Sequence, residues 1–595
     1  MNQLFRYALS ILASASFAFA HVGNHPSIHD TMAGILQRLQ NTMPVDSLAA
    51  LSVPQAVSFL TDEERHVLGT EYVTFSVNQP VTVTIFRDRG QRIPPYWLEE
   101  RGFTRTGDEA KVSGRQFEAW QKDFDTGEVG LGVHSFADNG RHYFAVISPR
   151  ANGTPLEIAN MYPGYYRLEE FATGASVYRD SEGYTVAELP ERLSGDILLV
   201  GMRNRGKETL VTGIFRTTQY PSSTKPEQIA LTWSEDPKTT QTIQWRTSTE
   251  VRDGVVRYRR VGSSTQYTEL IARRNELRDR FLLNDPVDAR FAVVLRGLEP
   301  NTSYEYQVGS PAHDVWSDVA TFTTAPDEVT PFSFMYLGDP QNGLDTWGEM
   351  IRGAHAKYPH ARFWVIAGDL VNRGNQREEW DSFFTNAEPI FSERPIVPAL
   401  GNHEHQGPYG PWMYERVFNL PENGPQLIPP ERGYALEYSN ALFLILDSNK
   451  PADVQTDWID EQLANTEATW KFVVYHHPAY SSSPSRDNSD IRTLWSAIFD
   501  RYHVDLALQG HDHAYLRTYP MRGGEPVGSP ADGTIYIVSV SGTKMYSQGD
   551  HPYTDVGFTN VSTYQLLDIT IDGDKLRYRS FDSEGAVRDE FVIEK

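Results

Sequence analysis

Five short stretches collect residue types that hold metal ions: GDPQ (338–341), GDLVNRG (368–374), GNHEH (401–405), HHP (476–478) and GHDH (510–513). They deliver Asp339, Asp369, Asn402, His476, His511 and His513. Carboxylate and amide oxygens are hard donors and imidazole is a borderline one, a mixture that suits two adjacent metal ions. His511 and His513 stand one residue apart, so each can serve a different ion of one pair. A single GNH or HxH reads as a strand cap or a core hydrogen bonder. Five such motifs in order, each after an apolar run, read as a site.

The apolar runs are the elements that must position these residues. FSFMYL, RFWVIA, PIVPAL, LFLILD, KFVVYH, DLAL and IYIVSV alternate from residue 331 onward with helical stretches such as EEWDSFFTNAEPIF and DIRTLWSAIFDRY. Strands followed by helices predict an α/β domain over 331–595 with its function at the carboxyl ends of the strands. The motif glycines are expected to let the backbone turn tightly as it leaves the sheet. SGTKMY (541–546), after the last such run, would bring Lys544 and Tyr546 to the rim. SSSPS (481–485) reads as a flexible loop and shows no Ser-His-Asp pattern.

Upstream the texture differs. IALTWS, TIQWRT, GVVRYRRV, FAVVLRGL, SYEYQVG and WSDVATFTT are short strands at regular spacing, the signature of a small β-sandwich over 225–326. YPSSTKPEQ (220–228) reads as a polar linker before it. Alternation such as EYVTFSVNQPVTVTIF, with Val73, Phe75, Val77, Val81, Val83 and Ile85 facing one way, predicts a β-rich domain of unknown role over 67–219. Residues 21–66 read as a helical leader in which Ile35, Leu36 and Leu39 share a face and Asp30 caps the start. Residues 1–20 have Arg6, an apolar stretch and Ala18-Phe19-Ala20, the pattern of a secretory signal peptide.

Composition narrows the classes. A length of 595 residues predicts several domains. The net charge of −24, without a long basic run, argues against extended nucleic-acid binding or attachment to an anionic membrane. No cysteine is present, which excludes disulfides, thiolate metal sites and cysteine nucleophiles. A secreted or periplasmic protein without a membrane span in its mature form is expected, and its oligomeric state stays open.

In order, GDPQ, GDLVN, GNHE, HHP and GHDHAY resemble the motif blocks of the calcineurin-like metallophosphoesterases, and GNHE with GHDHAYLRT is most similar to the purple acid phosphatase branch. LRGLEPNTSYEYQVG (295–309) and ATFTTAP (320–326) resemble the fibronectin type III-like domain that precedes the catalytic domain there. The resemblance implies a multidomain chain: a β-rich N-terminal domain, a fibronectin III-like sandwich and a C-terminal αββα metallophosphoesterase domain. It implies that Asp339 and His513 bind one metal, that Asn402, His476 and His511 bind a second, and that Asp369 bridges them. His476 is preferred to His477 because the family spacing is His-x-Pro. His403 would bind phosphate or protonate the leaving oxygen, with Asn402, Arg373 and His405 on the substrate side. The implied cofactors are two ions of iron, zinc or manganese. The implied reaction is hydrolysis of a small phosphate monoester by a metal-bridging hydroxide, without a covalent intermediate.

Two departures stand out. Gln341 replaces the family's Gly or His, so it either ligates through its amide oxygen or supports from outside the metal's donor set. Asn372 replaces a metal-binding Tyr, so no tyrosinate-to-iron colour is expected. A phosphodiesterase with the same site, and a surface binding or adhesion protein that holds metals without turnover, are the alternatives.

Overall fold

The computed structural model describes residues 27–595 apart from 138–141, 151–152, 154, 182, 407–408 and 571–573, and the expected signal peptide lies outside the described residues. Residues up to Arg216 form one compact unit and Thr217–Lys595 a second.

In the first unit, helix Ile28–Thr42 buries Ile35, Leu36 and Leu39 on one face, as their spacing predicts. Its cap is Ser27 rather than Asp30. Ser27 Oγ accepts the Asp30 N–H at 3.1 Å and donates to the Asp30 carboxylate at 2.7 Å, so the aspartate belongs to the first turn. Three shorter helices follow, Val45–Ala49, Val53–Phe59 and Asp62–Thr70. A three-stranded and a seven-stranded sheet complete the unit, the larger with Val81–Asp88 at its centre between Arg115–Phe124 and Tyr143–Pro149. Val73, Phe75, Val77, Val81, Val83 and Ile85 are all buried.

The second unit opens with a sandwich of a four-stranded and a five-stranded antiparallel sheet, closed around Trp245 stacked on Phe291 at 5.3 Å between ring centres. The segment expected to be a linker is fastened instead. Ser222 bonds to the Asp285 carboxylate, the Tyr220 carbonyl accepts from Arg246, and strand Glu227–Thr232 begins inside it.

Beyond the sandwich, two sheets face each other. One has six strands in the order Ile396–Pro398, Ala361–Ile366, Phe332–Leu337, Thr563–Thr570, Lys575–Asp582, Val587–Glu594. The other has seven, in the order Tyr434–Tyr438, Ala441–Ile445, Trp470–Val474, Leu506–Gln509, Ile535–Val538, Tyr515–Thr518, Thr554–Phe558. Strand alternation sorts the side chains. Phe443, Ile445, Phe472 and Val474 join the core between the sheets, where Phe334 lies 5.3 Å from Phe472. Leu442, Leu444, Val473 and Tyr475 point the other way, onto helices Thr456–Asn465 and Ser489–Tyr502 through Ile459, Leu463, Trp495 and Phe499. Helices Leu344–Lys357 and Arg377–Ala387 join the first core through Trp347, Ile351 and Phe383. Helix, sheet, sheet, helix fits the α/β domain that the alternating pattern predicted and is the layering that the family resemblance implied. No helix among the described residues is long and apolar enough to cross a membrane.

Candidate metal centre

The parallel neighbours Phe332–Leu337, Ala361–Ile366 and Ile396–Pro398 end just before Asp339, Asp369 and Asn402. In the facing sheet, parallel Trp470–Val474 and Leu506–Gln509 end before His476 and before His511 and His513. The loops lock together through their main chains: Gln341 N–H donates to the Asp369 carbonyl at 3.1 Å and Gly510 N–H to the His476 carbonyl at 3.1 Å.

The turns are not made as the glycines suggested. Only Gly368 has a positive φ among the five motif glycines; Asp339 (φ 44°), Asp369 (51°), His511 (76°) and His513 (48°) take the left-handed conformation themselves. Such positions cost about 1–2 kcal/mol each in a non-glycine residue. Gly401 and Gly510 supply room instead. A Cβ would stand 2.1 Å from Asp369 Oδ1 at Gly401 and 2.3 Å from Asp339 Oδ2 at Gly510.

These constraints gather two groups of potential ligands that share Asp369: Asp339, Asp369 and His513, and Asp369, His476 and His511. In the second, His476 Nε2 lies 3.1 Å from Asp369 Oδ2, 3.2 Å from Asn402 Oδ1 and 3.2 Å from His511 Nδ1. His476 Nδ1 bonds to the Ala367 carbonyl at 2.9 Å, which aims Nε2 at the cluster. His477 turns aside to Ser448 Oγ at 2.9 Å. In the first group, His513 Nε2 lies 3.6 Å from Asp339 Oδ1, and its Nδ1–H donates to the Lys544 carbonyl at 2.9 Å.

Gln341 reaches the same place. Its amide nitrogen is 2.9 Å from Asp369 Oδ2 and 3.1 Å from His513 Nε2, while its amide oxygen, like Asp339 Oδ1, is buried without a partner. A half-turn of the amide exchanges the two atoms. The oxygen then points where Asp339, Asp369 and His513 converge. Two buried carboxylates, orphaned oxygens and imidazoles fixed from behind are the donors that a pair of cations requires, so the residues fit metal ions.

The electrostatics favour the neutral, ligating form at two of the three imidazoles, His511 and His513. Burial, followed by the Asp369 charge, pushes Asp339 well up, although His476 works against it. Burial would raise Asp369 too, but His476 and His403 beside it hold it low. Burial lowers His476, yet Asp369 and Asp339 outweigh it and raise the imidazole to about 10. Burial first, with nearby cations adding to it, holds His513 down to about 4 and His511 lower still. Neutral imidazoles are the form that ligates a metal.

The other expected residues are placed as follows. The His403 N–H donates to Asp369 Oδ1 at 2.8 Å and its Nδ1–H to the Asn372 carbonyl at 2.5 Å, leaving Nε2 3.9 Å from Asp369 Oδ2. Asn372 thus serves through its main chain. His405 Nε2 faces Asp447 at 3.4 Å. Arg373 is half-buried; its N–H donates to Glu379 at 2.9 Å, and no hydrogen bond among the described residues joins its guanidinium to the cluster.

Residue reading passed over Glu404, although it stands in the GNHE block. Fully buried, its carboxylate accepts the N–H groups of Gly401 (2.8 Å), Asp369 (3.0 Å) and Val371 (3.3 Å), stapling two motif loops. The signal was available: loop N–H groups that leave a sheet need acceptors, and a carboxylate beside an apolar run is the nearest. Glu404→Gln keeps one acceptor but sets an amide N–H₂ against a main-chain N–H. It should cost about 1–3 kcal/mol of stability and lower turnover, read from chemical denaturation and initial rates together. The serine stretch is also not a loose loop. Ser481 Oγ and Ser482 N–H donate to Asp512 at 2.7 and 2.6 Å.

Residues 226–324 match the family described as Purple acid Phosphatase, N-terminal domain, and residues 332–515 match Calcineurin-like phosphoesterase. An uncharacterized protein of Mycobacterium tuberculosis is 28% identical over 304 residues, which are 41% of this chain and 56% of that protein. The match therefore spans little more than half of that relative. Probable purple acid phosphatase 20 of Arabidopsis thaliana is 24% identical over 353 residues, 55% of this chain and 75% of its own. The solved purple acid phosphatase from yellow lupin (Lupinus luteus) seeds shares the fold at a TM-score of 0.53, over 88% of this chain and 93% of that one at 15% identity.

Proposed function

We propose that this purple acid phosphatase-like chain is an exported phosphatase that hydrolyses small phosphate monoesters at two metal ions. The observation that carries the reading is the pair of ligand groups joined at Asp369, built from four strand-end loops, with Asn402 of a fifth beside His476. Asp339, Asp369 and His513, with Gln341 as an oxygen donor, would hold one ion; Asp369, Asn402, His476 and His511 would hold the other. Two cations of the iron, zinc or manganese kind, when bound, would supply charge for the phosphoryl oxygens and would acidify water.

The rest falls to the chain itself. Asp369 fixes the spacing of the two groups and, through Oδ1, the His403 main chain. With Nδ1–H committed to the Asn372 carbonyl, His403 exchanges protons only at Nε2, the atom turned toward the cluster. There a protonated His403 binds the phosphate and hands its proton to the departing oxygen, a contribution of about 10²–10⁴-fold in rate. Asn402 orients the phosphate, and Arg373 and His405 are assigned to the ester's outer oxygens and organic part. The leader-like residues 1–20 support the exported setting.

The test is the initial rate on a phosphate monoester and a phosphodiester, using metal-stripped protein reloaded with manganese, zinc, or iron plus zinc. Turnover should return only with metal, at least about tenfold faster on the monoester. A preference for the diester would replace phosphatase by phosphodiesterase. Absence of turnover in folded, metal-loaded protein would transfer the assignment to a binding protein.

A further inference from the structure

The wall of the centre formed by the GHDH loop carries two cations that the proposed hydrolysis does not use. The main chain of the SGTKMY segment is locked onto His513: the His513 Nδ1–H donates to the Lys544 carbonyl at 2.9 Å, and the Tyr546 N–H donates to the His513 carbonyl at 3.0 Å. The Tyr546 ring then stands 4.8 Å from the His513 ring. Lys544 Nζ lies 5.1 Å from the centre of that ring, and the Arg486 guanidinium lies 5.3 Å from it. Arg486 is fixed in turn through one nitrogen, Nη1, which donates to the His511 carbonyl at 3.0 Å and to Asp512 at 2.9 Å.

The charge left over is unusual for this chain. Acidic residues outnumber basic ones 78 to 54, and Arg486, like Arg492 and Arg517, is matched with an aspartate, whereas Lys544 is not. Among the described residues, no hydrogen bond or ion pair engages the Lys544 ammonium. Arg486 spends one nitrogen on Asp512, whose second oxygen is already held by Ser481 and Ser482, and the Arg486 side chain is 34% exposed with Nε and Nη2 uncommitted. Two cations are thus held by one aromatic ring, one ring contact away from His513; Arg486 has Asp512 as its carboxylate and Lys544 has none. The donors left over keep a positive field beside the centre, which draws in an anion.

We propose that Lys544, Tyr546 and Arg486 form a subsite for a second phosphoryl group carried by the same substrate molecule, so that the centre favours esters with two phosphoryl groups over those with one. The inference rests on the phosphoesterase reading and names its substrate class. Arg486 offers a planar fork and Lys544 a mobile point charge, a pairing suited to a tetrahedral anion that must also reach the metal groups. Tyr546 keeps both cations in place through its ring face.

The test is equilibrium binding of methylenediphosphonate, which has two phosphonate groups and resists hydrolysis, against methylphosphonate, which has one. Both are titrated calorimetrically into manganese-loaded protein, wild type and the variants Lys544→Gln and Lys544→Arg. The selectivity ratio of the two dissociation constants should fall about tenfold in Lys544→Gln, the worth of a charge-assisted contact, and should be held by Lys544→Arg. An unchanged ratio in folded Lys544→Gln overturns the subsite. An equal loss in both variants overturns it too, because the charge would then not matter. Hydrolysis of p-nitrophenyl phosphate, measured on the same wild-type sample, reports separately on the reading beneath it. If neither phosphonate binds and no ester is hydrolysed, both readings fall together.

Discussion

Asp369→Asn should lower kcat/KM for a phosphate monoester by roughly 10³-fold or more, beyond the ~10²–10³-fold typical of losing one preorganised electrostatic partner. The expectation comes from how many parts converge on one carboxylate. Asp369 belongs to both ligand groups; its Oδ2 faces His476 at 3.1 Å and the Gln341 amide at 2.9 Å, and its Oδ1 accepts the His403 N–H at 2.8 Å. An asparagine keeps the shape but presents N–H₂ on one of these sides. Oriented toward His403 it opposes an N–H, and oriented toward the cluster it offers no lone pair to a cation. It also removes the negative charge that raises His476. Metal content and rate should fall together, checked by elemental analysis and initial rates on the same sample. Full activity with full metal content would remove Asp369 from the centre.

Asp381→Ala should destabilise the unit 217–595 by about 3–5 kcal/mol, the range for breaking a buried ion pair on one side. Asp381 is fully buried on helix Arg377–Ala387. It receives Arg246 from the sandwich by a short contact and Gln228 at 3.1 Å, while Arg377 stands 3.5 Å away. Arg290 and Asp288, paired at 2.9 Å, and Asp285 on Arg377 extend the cluster. Alanine would leave Arg246 and Arg377 as charges without water and short of a carboxylate. The damage reaches the centre, because this helix follows directly on the loop that carries Asp369 and the Asn372 carbonyl under His403. Chemical denaturation followed by tryptophan fluorescence measures the loss. Glu590→Ala, which breaks the solvent-exposed Arg577–Glu590 pair, is the comparison and should stay within about 1 kcal/mol. Equal midpoints for the two variants would show that the buried cluster contributes little.

Much of this protein is determined by local pattern. Continuous apolar runs such as LFLILD and KFVVYH need cover on both faces, so an α/β domain was legible from the pattern, while the αββα layering was what the family resemblance implied. The donors were legible for the same reason. A polar side chain directly after a buried strand emerges at the sheet edge, and five such edges carried Asp, Asn and His.

Contacts between residues far apart in sequence were not legible, because nothing in a single segment encodes its partner. Glu404 looks like any glutamate until three N–H groups from two loops close on it. The glycines signalled tight turns, but close approach of Asp339 and Asp369 is what Gly510 and Gly401 permit, and the left-handed backbone fell to the aspartates and histidines. SSSPS and YPSSTKPEQ read as loose from composition, yet Asp512 and Asp285 tie them down from 30 and 63 residues away. Segment by segment, hydrophobic period and residue type decide what a stretch will be and which side chains it offers. Which of those side chains meet is decided only when packed sheets force loops together and every buried polar group must find a partner.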